Sequence, residues 1–172
     1  SFEKYHSIQP ISKNNISIIP RNYIKYEITK KENYALEIKN FVNKNGKFFI
    51  VIYLGAEFNT EYLIKLFVLL KKNNCVDEFK IKPHPNRKYY NNEQLKFLNT
   101  YEEYIIDDIP RILHIGLCGI SSIVTNLIEN NIYCCNLLGI DNREDYYGYI
   151  KNRLITNIDL NDLEGDLQNN IK

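Results

Sequence analysis

The sequence predicts a doubly wound α/β domain built on a parallel sheet, and three observations carry that expectation. The run "KFFIVIYLG" at 47–55 is nearly continuously apolar, as in a central strand covered on both faces. Further strand-like runs, "FKIK" at 79–82, "ILHIGLCG" at 112–119 and "IYCCNLLG" at 132–139, alternate with stretches of helical spacing. The connections between them leave room only for right-handed crossovers, which make a parallel sheet.

Taken in order, residues 1–27 read as a linker or edge segment in which "NISIIPRNYIKYEI" holds one or two short strands broken by Pro20. The domain itself is expected over 28–172. Thr29 and Glu32 stand in capping-box spacing, Ala35, Ile38, Phe41 and Val42 follow on one helical face, and Asn45-Gly46 is a stop. After the central strand and the loop "GAEFNT", a helix is predicted over 61–72 with Leu63, Leu66, Phe67 and Leu70 as its apolar stripe. The strand ending in "FKIKPHP" comes next, then a short helix over 91–98, a short edge strand at "EEYIID" and a helical turn at Ile109-Pro110-Arg111. The strand "ILHIGLCG", a helix over "ISSIVTNLIENN" and the strand "IYCCNLLG" follow. The remainder reads as a helix over "NREDYYGYIKNR", an extended "LITNI" and an acidic helix from about Asn161.

Composition narrows the function classes. At 172 residues the chain suits one domain, and a net charge of +1 disfavours a general nucleic-acid binder. The cysteines, Cys75, Cys118, Cys134 and Cys135, lack C-x-x-C spacing, and three scattered histidines complete no ligand set, so no metal and no cofactor are expected. Cys134-Cys135 in an apolar run reads as buried thiols of a reducing compartment. No apolar run reaches the roughly 20 residues that span a bilayer, and the start is no signal peptide. A cytoplasmic location, at most at the inner face of a membrane, is the expectation. Met is absent even at position 1, so the chain reads as a piece of a longer protein.

Sheets of this type bind ligands where loops leave the carboxyl ends of their strands, which singles out "GAEFNT", "PHPNRKYY" and "CGISS". Pro83 and Pro85 restrict the backbone on both sides of His84 and present its imidazole in a fixed direction. Lys82, Arg87 and Lys88 would make the surroundings suit a phosphate. The alternative is a histidine that merely finishes a turn. Gly119 permits close backbone approach, and Ser121 and Ser122 open a helix, where they either cap it or, with its N–H groups, hold an anion. Neither G-x-x-x-x-G-K-[ST] nor G-x-G-x-x-G is present. Glu57 adds a carboxylate to the same rim, where most such residues are simply solvated.

A strand ending in K-P-H-P, an Ile109-Pro110 turn, then a strand with G-x-S-S and a helix resembles the nucleotide-sugar-binding half of GT-B glycosyltransferases over roughly 47–160. The likeness is nearest to bacterial sialyltransferases and capsule or lipooligosaccharide transferases with an HP motif, here His84-Pro85, and a serine motif, here Ser121-Ser122. The resemblance implies a Rossmann-like lobe binding a CMP-sugar donor for a glycan acceptor. It implies His84 as leaving-group assistant, Ser121 and Ser122 on the donor phosphate, and Pro110 near the base. It also implies a second, amino-terminal lobe, and peripheral membrane contact in the whole protein. The family's D/E-D/E-G general-base motif is missing, leaving Glu57 or the other lobe to supply the base. Two other enzyme types fit the architecture, a nucleotide-sugar 2-epimerase and a polyol-phosphate transferase, and a non-catalytic binding module is the alternative from another class.

Overall fold

The computed structural model describes residues 47–161, with Asn40 and Leu163. The segment 1–27, the helix expected up to Gly46 apart from Asn40, and the acidic helix expected from about Asn161 apart from Asn161 and Leu163 lie outside the described residues. Among the described residues five parallel strands make one sheet: β1 Phe48–Tyr53, β2 Val76–Lys82, β3 Ile115–Cys118, β4 Tyr133–Leu137 and β5 Thr156–Ile158. Their order is β2-β1-β3-β4-β5. Helix α1, Thr60–Lys72, joins β1 to β2; α2, Asn92–Thr100, follows β2; α3, Ile123–Glu129, joins β3 to β4.

The apolar run of β1 has its physical reason in this arrangement. Ile50 and Ile52 face a cluster containing Leu63, Leu66, Phe67 and Leu70 of α1 and Phe97 and Leu98 of α2. Val51 and Tyr53 face the other cluster, with Val124 and Leu127 of α3. Helices therefore cover both faces, and each fully buried aliphatic side chain contributes roughly 1.5–3 kcal/mol. Asn59 caps α1 by accepting from the Tyr62 N–H at 3.0 Å. Asn91 and Gln94 form a reciprocal capping box that starts α2.

Three local expectations are corrected. The edge strand at "EEYIID" is a 3-10 turn, Glu102–Tyr104, followed by a single parallel bridge between Ile105 and Ile81. Tyr104 stacks on Phe79 at 4.9 Å and the preceding Tyr101 sits edge-on to Phe67 at 4.9 Å, so the ring expected in a strand, with its neighbour, anchors a turn. Ile109-Pro110-Arg111 forms no helical turn, and β3 starts at Ile115 rather than Ile112. The stretch 142–153 is a succession of turns rather than a helix. Asp145 Oδ2 takes the backbone N–H groups of Ile150 and Lys151, at 3.0 and 2.9 Å, and Gly148 turns at φ +70°. A short acidic side chain thus outcompetes the helical ladder for its donors.

Cys118, Cys134 and Cys135 are buried in β3 and β4 as thiols. Among the described residues, no helix is long and apolar enough to cross a membrane. The chain leaves β1 for β2 on one side and later returns to place β3 on the other. Between β1 and β3 the succeeding loops diverge, and a crevice opens at the carboxyl ends of these strands.

Candidate functional site

A cleft of about 260 Å³ lies at that divergence. Its walls are the end of β1 (Tyr53, Leu54), the end of β2 with Pro83-His84-Pro85, the start of α3, and the loop after β4. Of the residues singled out in the sequence, Lys82, His84, Pro85, Ser121 and Ser122 all line it.

His84 is held from several directions. Its backbone N–H donates to the Tyr90 hydroxyl at 2.6 Å, and that hydroxyl donates to the Gly55 carbonyl at 3.1 Å, tying the loop after β2 to the loop after β1. Burial pushes the Tyr90 phenol up to about 12, so it remains a neutral bridge. The Asn86 backbone N–H donates to His84 Nδ1 at 3.1 Å. The Asn86 carbonyl lies 3.4 Å from the same nitrogen, but the N–H contact is the shorter, and with Nδ1 accepting it the neutral ring carries its proton on Nε2. The prolines and this short loop thus leave Nε2–H as the nitrogen available to a ligand in the cleft.

Ser122 stands at the N-cap position of α3, yet its backbone is already helical and its hydroxyl makes no capping bond. Capping therefore does not occupy the Ser122 hydroxyl. The helix is seven residues long rather than the stretch of 120–131 expected, so few peptide dipoles add up at its start. Positive charge comes instead from Lys82 and Arg143, both in the lining. Neither takes part in an ion pair among the described residues. Arg87, expected in the basic flank, pairs with Asp107 at 3.3 Å, and neither it nor Lys88 lines the cleft. No carboxylate lines it either.

The other three candidates lie elsewhere. Gly119 serves as a seat for Asp141: a Cβ there would overlap the Asp141 carboxylate. Asp141 Oδ1 in turn accepts from the Arg143 N–H at 3.2 Å, which shapes the turn carrying Arg143. Burial is the main cause raising the Asp141 pKa, the Glu57 charge adds to it, and the Arg143 and Ile120 N–H groups and the Arg143 charge oppose it. Glu57 is exposed and lines a neighbouring acidic depression with Glu61, Glu93 and Asp141. Pro110 is placed with His114 and Ile132 at the amino-terminal ends of β3 and β4, away from the cleft. Pro110 is therefore not among the residues that line the cleft.

Arg143 and Tyr147 are among the lining residues that sequence reasoning missed, because 142–153 was expected to be helical. The available signal was positional. They follow the end of a parallel strand, β4, and so belong to the same rim. Tyr53 belongs to the cleft and to the core at once. His114 Nδ1 lies 2.7 Å from the Ile112 carbonyl, which can only accept, so Nε2 accepts from the Tyr53 hydroxyl at 2.8 Å. Burial lowers the His114 pKa, the bond to Ile112 opposing it.

Comparison with protein-family models, curated proteins and solved structures returns no match. Among the described residues, no group of three or more His, Cys, Asp or Glu is placed to hold a metal ion. What the cleft offers chemically is a set of donors: one imidazole N–H, two hydroxyls and two cations. Such a set suits an anion with several oxygens.

Proposed function

We propose that this chain is the donor-binding lobe of a GT-B glycosyltransferase, taking a CMP-activated sugar of the sialic acid type for transfer to a surface glycan. The observation that carries this is the cleft between β1 and β3, where Lys82, His84, Ser121, Ser122 and Arg143 converge without a carboxylate. In the transfer, the bond from the anomeric carbon to the phosphate oxygen breaks and its electron pair stays on that oxygen. The acceptor oxygen bonds to the anomeric carbon and gives its proton to a base. His84 Nε2–H and the serine hydroxyls meet the growing phosphate charge, with Lys82 and Arg143 neutralising it. Donors fixed before the reaction stabilise the transition state more than the ground state.

Proton removal falls to a carboxylate outside the cleft, either Glu57 beside it or a residue of a second lobe. The cleft volume is below the roughly 300–1,000 Å³ usual for complete small-molecule sites, in keeping with a site closed by another lobe. The position of Glu57 outside the lining also favours a second reading, a phosphate-ligand binding module without transfer chemistry.

Calorimetric titration of the chain with CMP, UDP and CDP-glycerol tests the proposal. CMP is expected to bind most tightly. Tightest binding of UDP would point to an epimerase lobe and of CDP-glycerol to a polyol-phosphate transferase. No binding of any nucleotide at millimolar concentration would sink the reading.

A further inference from the structure

We infer that Tyr147 is a preformed stacking platform for the nucleobase of the ligand whose phosphate occupies the cleft. This rests on the phosphate reading above. Tyr147 lines the cleft with His84 and the serines, and it also lines a second depression of about 460 Å³ with Ile120, Arg143, Glu144, Asp145 and Tyr146. Its ring and Arg143 form the boundary shared by the two. A phosphate held on one side of this boundary leaves the rest of a nucleotide to extend across it.

The ring is mounted rather than loose. One side stacks on Tyr149 at 5.2 Å with an interplanar angle of 26°, and Tyr146 meets it edge-on at 5.4 Å. Tyr149 is 6% exposed and shares a hydrogen bond of 2.7 Å with Thr125 of α3, so the mount is fixed to the helix that follows the serines. The turn itself is closed by Asp145, through Ile150 and Lys151. Yet Tyr147 is 50% exposed, an aromatic ring supported from behind and open in front.

A planar base is the part of a nucleotide that uses such a surface, since every base has a π-face. The alternative place for the base, beside Glu57, Glu61, Glu93 and Asp141, gathers four carboxyl groups, whereas beyond Tyr147 there are two, Glu144 and Asp145, and Asp145 is engaged by the Ile150 and Lys151 N–H groups. Pro110 stands at the other end of the sheet. Stacking on Tyr147 is accordingly tolerant of base identity, and hydrogen bonding at the edge of the base is left to other groups.

The test compares CMP with ribose 5-phosphate, which keeps the phosphate and sugar and lacks the base. Tyr147→Ala is expected to lose about 5- to 150-fold in affinity for CMP, the range of one base–aromatic stack, and to keep its affinity for ribose 5-phosphate. Tyr147→Phe should bind both as the parent does. Because the chain contains no Trp, Tyr147→Trp places a single reporter in it, and its fluorescence should respond to CMP but not to ribose 5-phosphate. Equal losses for both ligands in Tyr147→Ala, or no loss for either, would overturn the inference and leave the phosphate cleft standing. If the parent chain binds neither ligand, the cleft itself fails and the platform with it.

Discussion

Replacing His84 in three ways separates what its two ring nitrogens do. Nδ1 accepts from Asn86 and shapes the loop, whereas Nε2–H is the donor left for a ligand. His84→Asn keeps an acceptor close to the Nδ1 position and removes the distal donor. His84→Gln keeps a distal N–H, and His84→Ala keeps neither. A hydrogen bond to a charged acceptor is worth about 1.5–3 kcal/mol net, which at about 1.4 kcal/mol per tenfold is roughly 10- to 150-fold in affinity. CMP binding, measured by calorimetry, should fall by that factor in the Asn and Ala variants and by about tenfold or less in the Gln variant. Cytidine, which has no phosphate, should bind all of them alike. His84 is half-buried at a rim and packs little core, so urea unfolding should change by only about 0.5 kcal/mol in the Asn variant. Under the proposed transfer reaction, loss of leaving-group assistance by His84 corresponds to about 10²–10⁴-fold in turnover. Parent-like CMP affinity in His84→Asn, or equal losses of CMP and cytidine, would show that Nε2–H meets no phosphate.

Three further outcomes are expected. The double variant Ser121→Ala, Ser122→Ala should lose affinity for CMP but not for cytidine, and since Ser122 makes no capping bond its thermal unfolding should stay within about 0.5 kcal/mol of the parent; a loss of 0.5–2 kcal/mol with unchanged affinity would mark the serines as caps. Gly119→Ala forces the Asp141 carboxylate off its seat and should cost about 1–3 kcal/mol in urea unfolding while weakening CMP through the displaced Arg143 turn; parent-like stability would show that Asp141 can move freely. Buried His114 has a lowered folded-state pKa, so between that value and the ordinary value of about 6.5 the unfolded chain binds the extra proton. Stability should therefore fall as pH drops below about 6.5, by at most about 1.4 kcal/mol per pH unit, and level off below the folded value. The difference between the parent and His114→Gln, followed by urea unfolding from pH 8 to 5, isolates this contribution, and identical pH profiles would refute it.

What was legible in the sequence is what one segment determines by itself. The uninterrupted apolar run of β1 demanded cover on both faces, and Leu63, Leu66, Phe67 and Leu70 demanded a helix with one buried stripe; all are buried except Phe49 of β1, which is partly so. The same logic put His84 and the serines on one rim, because parallel strands send all their carboxyl ends the same way. The misjudged stretches are those where side chains bond locally. "NREDYYGYIKNR" has helical composition, but Asp145 diverts two backbone donors and Gly148 turns the chain. "EEYIID" has strand composition, but its tyrosine, Tyr104, packs on Phe79 and Phe67, and its backbone makes only a single bridge.

Those misjudged stretches also governed how the site was read. With 142–153 expected as a helix, Arg143 and Tyr147 have no reason to face a ligand, and the expected basic flank is Lys82, Arg87 and Lys88, of which Lys82 alone lines the cleft. Charge near a motif is a weak guide, because an exposed arginine turns to whatever carboxylate its fold supplies, here Asp107 at 3.3 Å. Arg143 is the opposite case. Its backbone is fixed by the nearby Asp141 through its N–H, which leaves the guanidinium outside that bond. Gly119 makes room for that carboxylate, so the glycine ahead of the serine motif acts on the cleft through Asp141 and the Arg143 turn rather than by admitting a ligand to its own backbone. A glycine in a rim loop therefore has to be judged by what its missing Cβ would strike, and here that is the residue shaping the cationic side of the cleft.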